Sequence, residues 1–286
     1  MITKNLITKG ITLTLVAGCL FSGCGKKAED DKDTQSASDN EESEFVSNDA
    51  VNMADAADAG VNTFKNGDGT TYEALSGCAT VTRDTMNSAD PDTITIDFGS
   101  TPCLCKDNRY RSGQIAIIRS GKKWIAGSYR SVSFNNYYVG KTATDMNHIE
   151  GTHTVTFNGK NTAGNFNWDI SAQNMVITKS NGKSHSWTST RNREWTVGSG
   201  TLFNWTDDVY SITGSASGTN VNGNTYTANI TNALLRHLNC KWFESGTIEL
   251  TPQNKPTRTL DYGTDGNCDD QATVTIGSNT FTITLK

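Results

Sequence analysis

The residues best suited to covalent or metal chemistry are seven cysteines and four histidines, and their spacing limits what each can do. His148, His153, His185 and His237 are dispersed. His148 and His153, five apart, point to opposite faces of a strand, so their spacing predicts no shared ion. Asp97-Phe98-Gly99 spells the magnesium triplet of kinases, but the accompanying lysine, glycine-loop and catalytic-loop signatures are missing, which leaves a strand end and a turn glycine. The glycine-rich stretch from Gly214 to Gly218 lacks the lysine and following helix of a phosphate loop. No nucleophile elbow stands between a strand and a helix. Glu150, Asp169, Glu194, Asp207 and Asp208 could supply the carboxylate pair of a glycosidase, although carboxylates on a polar strand face are ordinarily just solvated. The sequence therefore assigns no catalytic, cofactor-binding or metal-binding residue and no cofactor.

The first two cysteines belong to a different chemistry. Lys4 and Lys9 flank the start of the chain, an apolar run follows from Ile11 to Phe21, small residues come next, and no acidic side chain precedes Glu29. That order is a secretory signal. The run is shorter than the ~20 apolar residues that cross a bilayer. A cysteine directly after the small residues can accept a diacylglycerol. Phe21-Ser22-Gly23-Cys24 leaves the longer apolar core and is followed by Gly25-Lys26-Lys27, so Cys24 is the expected lipid site; Val16-Ala17-Gly18-Cys19 matches the motif closely and makes Cys19 the alternative. Residues 1–23 are read as a lipoprotein signal peptide, and membrane lipid, reached through palmitate-like acyl chains, as the first partner.

Residues 24–48 are rich in Asp, Glu, Ser, Gln and Asn and poor in apolar side chains, which reads as a disordered acidic tether. Residues 49–76 are read as a short helix and lead-in. The helix spans the stretch from Ser47 to Gly60, with Ser47 or Asn48 as cap, an alanine-rich body and a closing glycine.

From residue 77 to 286 the pattern has period two, as in Thr93-Ile94-Thr95-Ile96-Asp97-Phe98 and Thr280-Phe281-Thr282-Ile283-Thr284-Leu285, which predicts half-buried antiparallel strands. Asn158-Gly159, Asn181-Gly182 and Asn222-Gly223 are hairpin-turn dipeptides. The expected fold is all-β: an extended antiparallel meander, sandwich or open barrel with one short N-terminal helix. Two segments, 78–118 and 240–286, share an order of cysteine, strands ending Asp-aromatic-Gly, cysteine and strand, which suggests a distant internal duplication. An exported protein oxidises its cysteines. The repeat pairs Cys240 with Cys268, and Cys78 with Cys103 or Cys105, each bridge closing a loop that stabilises by about 3–4 kcal/mol.

The net charge of −5 and the lack of a basic cluster argue against a nucleic-acid partner. Tryptophans and tyrosines gather in the middle of the chain, and Trp195, Trp205 and Tyr210 mark the expected ligand surface, since exposed aromatic rings stack on sugars. The lipid-accepting motif, the stretch from Asp207 to Gly218, Cys240-Lys241-Trp242 and Leu260-Asp261-Tyr262-Gly263 with Cys268-Asp269 resemble uncharacterised lipoproteins of Bacteroidetes-type bacteria. The resemblance implies a cell-envelope location, lipid-anchored at the outer membrane, and a β architecture, but no activity. The functional expectation is a non-enzymatic binding or structural lipoprotein with a glycan, lipid or envelope-protein ligand. The alternatives are an envelope hydrolase using carboxylates on the sheet, and a lipid-carrying β protein.

Overall fold

The computed structural model describes residues 31–60, 78–84, 91–122, 124–201, 204–264 and 266–285. The expected signal peptide, Cys19, Cys24 and the first part of the expected tether lie outside them. One α-helix, α1 (Gln35–Gly60), precedes fourteen strands. These are β1 (Thr80–Arg83), β2 (Asp92–Asp97), β3 (Cys103–Leu104), β4 (Tyr110–Ser120), β5 (Tyr129–Thr142), β6 (Asp145–Lys160) and β7 (Phe166–Thr178). They continue with β8 (Ser184–Val197), β9 (Val209–Thr219), β10 (Thr225–His237), β11 (Ser245–Pro252), β12 (Arg258–Asp261), β13 (Gln271–Ile276) and β14 (Asn279–Thr284). All belong to one open antiparallel sheet, and neighbours in sequence are neighbours in space, with β3 set aside against β4. The expected all-β class takes its meander form.

Period-two burial produces this sheet. In β2, Ile94 and Ile96 are buried, and their partners across the ladder, Ile117 and Ile115, are buried too. Asn181-Gly182 and Asn222-Gly223 do sit in tight hairpins, closed by Gly182 N–H donating to Lys179 O and Gly223 N–H donating to Asn220 O, each at 2.9 Å. Asn158-Gly159 does not. It lies inside β6, where the register with β7 shifts between Phe157 and Gly159; the hairpin follows, closed by Gly164 N–H donating to Asn161 O at 2.9 Å. A glycine at positive φ serves a β-bulge as well as a turn, so the dipeptide alone does not separate the two.

The larger correction concerns residues 35–48. They are neither a tether nor disordered: α1 runs through all of them and is twice as long as the short helix expected from Ser47. Ser47 is no cap. Asp33 caps the helix instead, its carboxylate accepting the Gln35 N–H at 2.9 Å. Asp39, Asn40, Glu42, Ser43 and Glu44 are buried although their composition reads as solvated. The helix lies on the concave face of the sheet, with side chains bonded to strands from β4 round to β12.

For the sheet to curl round a helix its strands must bend, and a row of kinks crosses it. Registers shift between β4 and β5 after Ser112, between β6 and β7 after Glu150, and between β7 and β8 after Ala172. Gly113 (φ +82) and Gly151 (φ +115) sit in this row, where a Cβ would come within 1.9 Å of Asn136 O and 2.7 Å of Asn174 O respectively. Only glycine fits such a close approach of backbones, and bulges of this kind curve a sheet.

The two disulfides are Cys78–Cys103 and Cys240–Cys268, with Cα–Cα separations of 5.6 and 5.7 Å. Cys105 is the remaining described thiol; it is buried, and burial pushes its pKa up. Each bridge brackets two strands, β1–β2 and β11–β12. Both Asp-aromatic-Gly corners close alike: Gly99 N–H donates to Asp97 and Gly263 N–H to Asp261, each at 2.8 Å. The Phe98 and Tyr262 amides then reach Gly113 O on β4 and Gly246 O on β11. The first corner is buttressed by the strand after it and the second by the strand before it.

Candidate functional site

The helix–sheet boundary concentrates the ionisable groups. Going along α1 and the two turns before it, five acidic side chains meet a cation presented by the sheet, four of them on strands and one in the turn between β11 and β12. Asp31 binds Arg258 at 2.6 Å, Asp33 binds Lys255, and Glu44 binds Arg191. Asp49 accepts from Arg111 at 2.8 Å, and Asp55 binds Arg130. Arg111 is 0% exposed and also donates both terminal nitrogens to Asp107 at 2.8 and 2.7 Å and its Nε to Tyr137 Oη at 3.1 Å. Burial opposes its charge, and Asp49, Tyr137 and Asp107 together more than offset that, holding the guanidinium pKa above its ordinary value. Neutral partners complete the boundary: Trp187 donates its indole N–H to Asn40 at 3.1 Å and Asn220 donates to Ser36 at 2.9 Å.

His153 belongs to this boundary, its Nε2 sharing a 2.6 Å hydrogen bond with Ser47 Oγ. Burial, reinforced by Arg130 on β5 and Arg193 on β8, pushes its pKa down to about 3. The unfolded chain takes up a proton near pH 6.5 while the folded one does not, so stability falls as pH drops from ~6.5 toward that value, by ~1.4 kcal/mol per pH unit. Between about pH 6.5 and 4.5 the expected loss is on the order of 2–3 kcal/mol. Urea melts at both pH values should show a smaller loss by that amount in His153→Gln than in the parent; equal losses would reject the assignment.

A second polar cluster sits one turn nearer the helix start. Asp39 and Glu42, three apart and so on one face of α1, converge with His185 of β8, and the facing ligand atoms all lie within 4.8 Å of one another. Lys179 spans both carboxylates, at 3.1 Å from Asp39 and 3.0 Å from Glu42.

The opposite, convex face is different in character. A groove of about 630 Å³ runs across β7 to β11, lined by hydroxyl and amide side chains that include Ser186, Thr188, Ser217, Thr227, Thr251 and Gln253. None of its lining residues is charged. Gly218 forms part of it, where a Cβ would meet Ser186 O at 2.4 Å and Tyr226 Oη at 2.7 Å. The buried Tyr226 hydroxyl has no hydrogen-bond partner among the described residues.

No protein-family model, no curated protein and no solved structure matches this chain. Function must be read from the geometry.

The residues singled out from sequence fall elsewhere. Trp195 is buried, not an exposed stacking platform, and donates its indole N–H to Asp208 at 3.1 Å. Tyr210 stacks on it with ring centroids 5.9 Å apart, and Trp168, Phe166 and Trp124 complete one aromatic cluster. Arg193 lies over the rings of Trp168 and Tyr210 at 5.0 and 4.9 Å. The side chain of Trp205 lies outside what the structure describes. Trp195 is buried in this cluster, Trp168, Phe166 and Tyr210 are half-buried, and Trp124 covers it from outside at 46% exposure.

The five carboxylates considered for hydrolysis do not converge on the groove. Glu150 and Asp169 are exposed on strands, and Glu194 accepts from Asn165 at 2.7 Å. Asp207 accepts from Thr201 at 2.7 Å. Desolvation, against the Trp195 N–H and with Asp207 adding to it, pushes Asp208 up to about 6. Of the two neighbouring histidines, His148 stacks on Tyr138 at 4.6 Å while His153 is turned inward.

The cluster of Asp39, Glu42 and His185 escaped the sequence reading because its carboxylates fall in the supposed tether. A signal for it existed. Along β8 the polar residues His185, Ser189, Arg191 and Arg193 share parity with Trp187 and Trp195. Basic groups on the core face of a strand demand an acidic complement.

Proposed function

We propose that this chain is a non-enzymatic, membrane-anchored envelope lipoprotein that binds a neutral polar ligand, a glycan in class, in the convex groove across β7 to β11. The groove is the observation that carries the reading. Its hydroxyl and amide lining offers paired donors and acceptors of the kind a sugar presents, without a charge to attract an ion. It offers no carboxylate, imidazole or thiol to activate its Ser, Thr and Tyr hydroxyls, which favours binding over hydrolysis. The concave face, where a β protein would store a lipid, is packed with α1. That favours a ligand on the outside.

The anchor rests on the sequence from Lys4 to Cys24. With a lipid on Cys24, only residues 25–30 lie between it and Asp31, a reach of at most ~25 Å. The intended spacer is then much shorter than residues 24–48 suggest.

The test is a glycan array probed with the full chain and with Thr188→Arg/Thr227→Arg, two substitutions that fill the groove and leave the core untouched. A neutral glycan retained by the parent and lost by at least tenfold in the double variant is the expected result. Uniform silence of the parent, or binding unchanged by the double variant, rejects the groove. The mass of the N-terminal peptide from membrane-expressed protein reports the anchor separately: a diacylglycerol adduct on Cys24 is expected, and an unmodified Cys24 rejects that site.

A further inference from the structure

We propose that Asp39, Glu42 and His185 form a divalent-cation site of the zinc class, which locks α1 to the sheet and for which the Lys179 ammonium is the exchangeable competitor. The site stands independently of the groove.

Four observations converge on it. First, the donor set is mixed oxygen and nitrogen: two carboxylates and one imidazole, the latter disfavouring calcium and magnesium and suiting zinc. Second, the spacing is close to what zinc needs. His185 Nδ1 stands 3.7 Å from Asp39 Oδ1 and 4.0 Å from Glu42 Oε2. Tetrahedral ligation at ~2.0–2.2 Å places ligand atoms about 3.4 Å apart, so the two imidazole–carboxylate gaps close with shifts of well under an ångström, and no pair in the set is further apart than 4.8 Å.

Third, His185 is fully buried at its side chain and neither ring nitrogen has a hydrogen-bond partner among the described residues. A buried imidazole left with both nitrogens unbonded is costly, and a cation facing Nδ1 satisfies the one aimed at the carboxylates. Fourth, the carboxylates are already oriented by outer partners. Val221 N–H and Gln35 Nε2 donate to Asp39 at 2.9 Å each, and Asn147 donates to Glu42 Oε1 at 2.8 Å. Such second contacts are what hold metal ligands in place.

Lys179 now neutralises part of the charge. Its side chain is 24% exposed and stands just past the end of β7, so it can turn to solvent when a cation enters. Two carboxylates and a zinc ion balance exactly where two carboxylates and one ammonium leave a single negative charge. Because two ligands come from α1 and one from β8, the ion ties the helix to the sheet.

The full chain is titrated with Zn²⁺ by calorimetry and with Co²⁺ by visible absorption, alongside Lys179→Met and His185→Gln. The expected result is one equivalent of Zn²⁺, a Co²⁺ band of four- or five-coordinate type and a rise in melting temperature with metal. Affinity should be at least tenfold tighter in Lys179→Met, which removes the competitor, and at least tenfold weaker in His185→Gln. No binding by either the parent or a folded Lys179→Met overturns the proposal. So does binding by a folded His185→Gln equal to that of the parent. Should His185→Gln fail to fold, the Lys179→Met comparison decides alone, and equal affinity of Lys179→Met and parent counts against the site.

Discussion

Deletion of residues 31–60 is expected to abolish cooperative unfolding altogether. The helix supplies Val46, Ala50, Met53, Ala54 and Ala57 to the main buried core, and its acids are the counter-charges of Arg111, Arg191 and Arg258, which are between 0 and 4% exposed. Without this segment the concave face leaves Arg191 and Arg258 without a carboxylate, and Arg111 with Asp107 alone, around an empty lining. Each uncompensated buried charge costs several kcal/mol, against a total domain stability of about 5–15 kcal/mol. The deleted chain should show no sigmoidal urea transition and little near-ultraviolet circular dichroism, since Trp187 loses the Asn40 side chain that holds its indole. A peptide of residues 31–60 added in trans should restore the signal. The same peptide alone should be unfolded, because its Asp, Asn and Ser residues are poor helix formers without their partners. A deleted chain that melts with the parent's midpoint would show that the sheet is self-sufficient and α1 an accessory.

The second large effect isolates one ion pair. Glu44 and Arg191 are bonded to each other, with side chains 6 and 4% exposed. Nε and Nη1 of Arg191 have no hydrogen-bond partner among the described residues. Glu44→Ala leaves that guanidinium buried and without a carboxylate, at an expected cost of about 3–5 kcal/mol. Glu44→Leu combined with Arg191→Met removes both charges and refills the space. Replacing a buried pair by apolar residues is often neutral, so the double variant should recover most of the loss. Urea unfolding of the parent, the single and the double variant forms a cycle. A single-variant cost under about 1 kcal/mol would mean that water reaches Arg191 and that the pair is not sealed.

These two expectations share a cause that bears on the envelope role. Buried ion pairs contribute less to net stability than to uniqueness of arrangement when their geometry demands one partner for each group. Along α1 and the turns before it the order Asp31, Asp33, Asp39, Glu42, Glu44, Asp49, Asp55 meets Arg258, Lys255, Lys179, Arg191, Arg111 and Arg130 on successive strands and turns of the sheet. A slip of the helix by one turn misplaces every pair at once. The convex face, carrying the groove, is thereby held on a rigid backing.

The sequence by itself determined the strands, the antiparallel class, the pairing of Cys240 with Cys268 and that of Cys78 with one of Cys103 and Cys105; the structure chose Cys103. Those features are local: period-two burial, glycine turns and cysteine spacing each act within a few residues or a single loop. What only the tertiary structure decided is the fate of residues 35–48, the inward turn of Trp195, the groove across β7 to β11 and the meeting of Asp39, Glu42 and His185. The physical reason is the same in each case. An acidic segment is disordered in water because its groups have no better partner than solvent, and it becomes a buried helix when a curved sheet presents matching cations to it. That match lies between residues as far apart as Asp31 and Arg258, and no local pattern along the chain records it.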